Sequence, residues 1–147
     1  MSSYRQIIYH IVFRTKNHVP ALIENNREEL FRYIWGIIKN KNCKLYRING
    51  VEDHLHILSD LHPCVKLADY VKDIKVGTLL RIKRKRIFPH FTGWAEGYSA
   101  FTCNYRDLEK TINYIKNQKE HHKKISFREE YNELLEDFGI EFDNSDL

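Results

Sequence analysis

Residues 53–58 read Asp-His-Leu-His-Ile-Leu, a short apolar run carrying two histidines one residue apart. Reached through Glu52 and Asp53 and ending before Pro63, the run predicts a β-strand over 54–61. Side chains at i and i+2 leave the same face of a strand, so His54 and His56 converge while Leu55, Ile57 and Leu58 bury. Two imidazoles so placed suit one metal ion. Further along, a helical stretch carries Tyr114 and Gln118, whose i, i+4 spacing puts them on one helix face. A nucleophile and a third ligand then arrive together, and the combination points to metal-assisted phosphoryl transfer by a tyrosine.

The histidine pair has a plainer reading, a half-buried strand whose rings hydrogen-bond locally. With 8 His in 147 residues, chance alone supplies about 0.4 His-x-His pairs, so the pair draws its meaning from context. Tyr114 as one of nine amphipathic tyrosines and Gln118 as an exposed helix amide are the corresponding plain readings. What favours chemistry is the conjunction of both with a strongly basic body.

That basicity is hidden by a net charge of +4: residues 1–128 hold all 24 Lys and Arg against 12 acids, while 129–147 hold 8 acids and no base. The body has the charge of a polyanion binder and the acidic tail acts as a counterweight. Its densest cationic segment, Arg81-Ile82-Lys83-Arg84-Lys85-Arg86, exceeds what a helix C-terminus attracts through its dipole. Arg81, Lys83, Arg84, Lys85 and Arg86 are therefore expected to contact a phosphate backbone.

At 147 residues with 42% hydrophobic content, the chain fits one domain, 1–147, with a real core. Cys43, Cys64 and Cys103 form no Cys-x-x-Cys pair and read as reduced thiols, most of them buried. No charged-then-apolar leader and no membrane-length apolar stretch is present, which predicts a cytoplasmic protein without membrane contact.

Periodicity predicts strands over 7–13, 44–51, 54–61 and 97–103, with 44–51 and 54–61 paired as a hairpin. Helices are predicted from 24 or 25 to about 42, over 65–84, over 106–122 and over 127–138, the last ending at Gly139 as a C-cap. In the second strand, alternation puts Leu45, Arg47 and Asn49 on one side and Tyr46, Ile48 and Gly50 on the other. The order β-α-β-β-α-β-α-α predicts an α+β fold, a ferredoxin-like or RRM-like split βαβ sandwich with an antiparallel sheet and additional C-terminal helices. Its first and third strands are central neighbours, which would seat both histidines on a rigid platform.

Beyond these patterns, the chain resembles the single-tyrosine HUH transposases, which move small bacterial and archaeal insertion sequences as single-stranded DNA. The resemblance rests on Tyr9 to Lys16, on Gly50-Val51-Glu52-Asp53-His54-Leu55-His56-Ile57-Leu58, and on Phe88-Pro89, Gly93-Trp94, Gly97-Tyr98 and Ala100-Phe101. It extends through Tyr114-Ile115-Lys116-Asn117-Gln118-Lys119-Glu120-His121-His122. It implies that His54 and His56 are the metal pair, Gln118 the third ligand and Tyr114 the nucleophile. It also implies Mg²⁺ or Mn²⁺, a hairpin-bearing single-stranded DNA substrate, a 5′-phosphotyrosine intermediate, and a homodimer able to exchange its tyrosine helix. The tail after Gly139 lacks the longer basic extension of relatives that bind dispersed palindromic repeats, which favours an insertion-sequence transposase.

Two rivals stand beside this reading. An RRM-like module without catalysis would share the architecture, but it reads bases with exposed aromatics on central strands, where this chain has His54 and His56. A two-histidine phosphoesterase normally needs two His-x-Thr/Ser motifs, and only one His-x-His occurs. No general base for Tyr114 stands out; His121, seven residues on, reads as a solvated surface residue.

Overall fold

The computed structural model describes residues 2–143. Its elements run β1 (Ile8–Arg14), α1 (Glu24–Asn40), β2 (Leu45–Gly50), β3 (His54–Asp60), α2 (Leu67–Lys85), β4 (Ser99–Thr102), α3 (Leu108–Lys116), α4 (Gln118–His121) and α5 (Phe127–Asp137). The strands form one sheet in the order β2-β3-β1-β4, every pairing antiparallel. This is the expected α+β split βαβ arrangement with appended helices. β1 and β3 are the central pair, with Val12 opposite His56 and Arg14 opposite His54.

Both faces of the sheet are covered, for a reason visible in the strand sequences. On one face Ile11, Phe13, Leu55 and Ile57 pack against Leu30, Ile34 and Ile38 of α1 and Tyr70, Val71, Ile74 and Ile82 of α2. On the other, Ile8, Leu58 and Cys103 meet Ile115 of α3, while Val12 and Phe101 meet Phe127 and Leu135 of α5. Between those two small clusters lie the buried polar residues His10, His54 and His56. The acidic C-terminal helix therefore lies across the histidine face of the sheet and helps to roof it, which its charge alone does not suggest.

Three local features depart from simple periodicity. The register of β2 shifts between Leu45 and Arg47, and this irregularity reverses the alternation partway along the strand. Leu45 and Ile48 consequently pack against the same α1–α2 core, whereas Tyr46 joins the α3 cluster.

The single helix expected over 106–122 is broken. A 3-10 turn at Tyr105–Asp107 leads into α3, and Asn117 (φ −94°, ψ 20°) separates α3 from α4. The side-chain amide of Asn49 donates to the carbonyls of Ile115 (3.0 Å) and Lys116 (3.1 Å). It takes up acceptors that a continuous helix would use and so ties the break to β2.

β4 is shorter than expected, since Gly97 sits at φ +80° and cannot extend the strand. The other boundaries fall within about two residues of the pattern, as helix and strand ends do. Gly139 takes φ +66°, the left-handed C-terminal stop expected there. Cys43 and Cys103 are buried and Cys64 exposed, all free. Among the described residues no helix is long and apolar enough to cross a membrane.

Candidate metal and nucleophile site

β3 presents His54 and His56 from the same face, both fully buried, and a partner on the far nitrogen fixes each ring. His54 Nδ1 lies 2.7 Å from Asp53 Oδ1, and His56 Nδ1 lies 2.8 Å from His10 Nε2 on β1. Both Nε2 atoms are thereby aimed at one point. Partners of this kind orient ligating histidines and set which nitrogen is free.

α3 and α4 bring the remaining expected residues to that point from the same chain. Gln118 is fully buried, with Oε1 3.3 Å from His54 Nε2. Tyr114 packs its ring edge-on to His56, centroids 5.8 Å apart. Tyr114 and Gln118 thus converge although Asn117 separates their helices, because the backbone turn continues: His121 N donates to Asn117 O at 2.9 Å.

At the centre of the group stands Glu130 of α5, a residue the sequence patterns assigned only to the acidic tail. It is 1% exposed. Its Oε1 lies 3.2 Å from His54 Nε2, 3.0 Å from His56 Nε2 and 3.1 Å from His122 Nε2. Its Oε2 accepts hydrogen bonds from the Tyr114 hydroxyl and from Gln118 Nε2, the latter at 2.9 Å, and His121 Nε2 sits 3.2 Å away. His121, expected to be solvated, therefore faces the site. The donor atoms of His54, His56, His122 and Glu130 all lie within 4.8 Å of one another, a group able to hold a metal ion.

The electrostatics follow from this crowding. Burial alone would raise the Glu130 carboxyl, but hydrogen bonds from His122, His54 and His56 outweigh it and hold the group ionised far below the usual carboxylate range. Burial lowers His54, yet its bonds to Asp53 and Glu130 carry it above the ordinary imidazole value. His56 stays below that value because burial prevails over the attraction of Glu130. Burial and the facing His56 push His10 down to about 3, leaving it a neutral ring. Tyr114 is raised well above an ordinary phenol by burial and then by the adjoining carboxylate, so at neutral pH it is held protonated.

The basic segment lies on the other layer of the fold. Arg81 is half-buried, over the Tyr33 ring at 5.1 Å and 3.8 Å from Glu29, whereas Lys83, Arg84, Lys85 and Arg86 are exposed. The segment reaches the histidine end of the sheet through two links. Asn26 of α1 donates to Ile87 O at 2.7 Å, and Leu22 N donates to Glu52 O at 2.9 Å, two residues before His54.

Comparison with known proteins places this geometry in a family. Solved structures that share the fold include two transposases. A candidate transposase from Deinococcus radiodurans R1 superposes with a TM-score of 0.61 at 22% identity, over 80% of this chain and 95% of that one. A REP-associated tyrosine transposase bound to a REP hairpin superposes with a TM-score of 0.63 at 16% identity, over 83% of this chain and 74% of that one. No curated protein matches the chain. The family model described as transposase IS200 like matches residues 3–118, from before β1 to the buried glutamine of α4, and the chain belongs to that family.

Proposed function

We propose that this transposase cleaves and rejoins single-stranded DNA at hairpin-marked element ends through a covalent 5′-phosphotyrosine on Tyr114. In this reading His54, His56 and Gln118 hold a divalent cation, Mg²⁺ or Mn²⁺. The observation that carries it is a distance relation. The Tyr114 hydroxyl and the Nε2 atoms of both histidines contact the two oxygens of one carboxylate, that of Glu130. The tyrosine hydroxyl and the histidine nitrogens thus lie around one small carboxylate, close enough together to act on a single phosphate.

The residues divide the work. Asp53 and His10 keep the two imidazoles turned inward, and the Gln118 carbonyl faces the same point. When bound, the cation supplies Lewis-acid polarisation of a non-bridging phosphate oxygen. Tyr114 oxygen forms the new bond to phosphorus while the bond from phosphorus to the 3′ oxygen breaks; the phenol loses one proton and the departing 3′ oxygen gains one. The phosphodiester energy is conserved in the tyrosyl ester, so another 3′-hydroxyl reverses the step without ATP. The active unit in this reading is a homodimer, with α3 and α4 serving their own histidines as here or exchanged with a partner.

The neighbour bound to a REP hairpin supports hairpin DNA as the substrate class. The rival reading as a base-stacking module loses ground to an observation about the sheet: the face formed by His10, Val12, His54 and His56 is buried beneath α3, α4 and α5, where such a module leaves it open.

The test is Tyr114→Phe, which removes only the attacking oxygen. The variant is expected to bind hairpin DNA with near-normal affinity and to give no covalent adduct on a denaturing gel with Mn²⁺. An adduct that persisted would move the nucleophile elsewhere, first to the exposed Tyr105.

A further inference from the structure

Resting on the metal-site reading above, we propose that Glu130 and His122 are themselves ligands, so that the cation is held by three imidazoles and a carboxylate in addition to the Gln118 amide.

The pairing of donors with acceptors around Glu130 points to a cation. His54 turns Nδ1 to the Asp53 carboxylate and Nε2 to the oxygens of Glu130 and Gln118. His122 turns Nδ1 to the carbonyl of Ile125 at 3.1 Å and Nε2 to Glu130 Oε1 at 3.1 Å. Carboxylates and carbonyls only accept hydrogen bonds, and a neutral imidazole has one N–H to give. One hydrogen cannot serve both acceptors of a ring: placed at Nδ1 it leaves a lone pair on Nε2 facing Glu130, and placed at Nε2 it leaves one on Nδ1 facing Asp53 or the Ile125 carbonyl. Either tautomer of a neutral ring therefore leaves a lone pair against an acceptor oxygen, a repulsive contact in a buried place.

Protons alone would relieve it only by charging both rings, whose centroids are 4.6 Å apart. One cation among the three Nε2 atoms and Oε1 satisfies every lone pair with neutral rings. The contacts of 3.0 to 3.2 Å from Oε1 to the three nitrogens match neighbouring ligand atoms around one ion whose bonds are about 2.1 Å.

The arrangement also has the support expected around metal-binding histidines: all three rings have the far nitrogen held, by Asp53, by His10 and by the Ile125 carbonyl. Glu130 is in turn fixed by the capping box that starts α5, in which Ser126 Oγ accepts from Glu129 N at 3.2 Å. Three imidazoles with one carboxylate suit Mn²⁺ better than Mg²⁺, which prefers oxygen donors and retained water.

The experiment is calorimetric titration of Mn²⁺ and of Mg²⁺ into metal-stripped protein, with nitrogen couplings of bound Mn²⁺ counted by spin-echo spectroscopy. Glu130→Gln, nearly isosteric, should weaken Mn²⁺ binding at least about tenfold, and His122→Ala should lose one imidazole coupling. The wild type should prefer Mn²⁺. Unchanged or tighter binding in Glu130→Gln would make the glutamate a plug that competes with the ion, and a full set of couplings in His122→Ala would remove that ligand; either result overturns the proposal while leaving the His54 and His56 site standing. A wild-type protein that bound no Mn²⁺ would overturn this proposal and the metal-site reading together.

Discussion

Single residues decide the chemistry, and the informative ones come from segments far apart in the chain. His54→Ala and His56→Ala are each expected to abolish cleavage and most Mn²⁺ binding, because each removes an imidazole whose ring is already fixed. Gln118→Ala should weaken binding less, since an amide oxygen is the weaker donor. Calorimetry on the His54→Ala, His56→Ala double variant decides the matter: wild-type Mn²⁺ affinity there would remove the metal site. The convergence of these three side chains with Tyr114 is legible in the sequence because strand and helix periodicity turn spacing into direction. Glu130, His122 and His10 are not, since an acid on an acidic helix and a histidine in an apolar strand each have a commoner explanation. One signal was available for Glu130: it lies three residues after Phe127 and five before Leu135, on the stripe that α5 buries. An acid on a buried stripe needs partners.

Among the elements, the β2–β3 hairpin is the part whose sequence leaves least freedom. A Cβ at Gly50 would stand 2.5 Å from the His54 carbonyl oxygen and 2.5 Å from Leu55 Cδ2, so this glycine is required by close approach and not by a left-handed turn. Gly50→Ala is expected to destabilise the protein by about 1–3 kcal/mol, the usual cost of overpacking, read as a lower urea midpoint at unchanged m-value. It should also disturb the metal site, since the displaced backbone carries His54. A variant with the wild-type midpoint would show that the hairpin yields without strain. Element order and type followed from periodicity, but the break at Asn117 and the irregularity in β2 did not. Both depend on tertiary context: Asn49 reaches from one strand to the last carbonyls of α3, and no local pattern announces a bond across 66 residues of chain.

For the molecule as a whole, the acidic C-terminal helix and the basic end of α2 lie on opposite faces of the sheet. Part of the acidic tail folds back onto the histidine face, where Glu130 is consumed by the site; the tail's last four residues lie outside the described ones. The cations at the end of α2 stay exposed. Of the five cations, Arg81 is engaged with Tyr33 and Glu29, which leaves Lys83, Arg84, Lys85 and Arg86 as the group that we expect to meet phosphates. Binding of that kind releases condensed counterions and carries no base information. Replacing Lys83, Arg84 and Lys85 with glutamine should therefore weaken binding to every hairpin alike. It should lower the log-log salt slope by roughly 0.7 to 0.9 for each phosphate that is no longer neutralised, and the preference among hairpins should survive. Filter binding across a salt series on two hairpins measures both quantities. If the triple variant kept the full slope, the segment would be a solvated helix end. If it lost discrimination while still binding tightly, the segment would read bases, and hairpin choice would reside in α2.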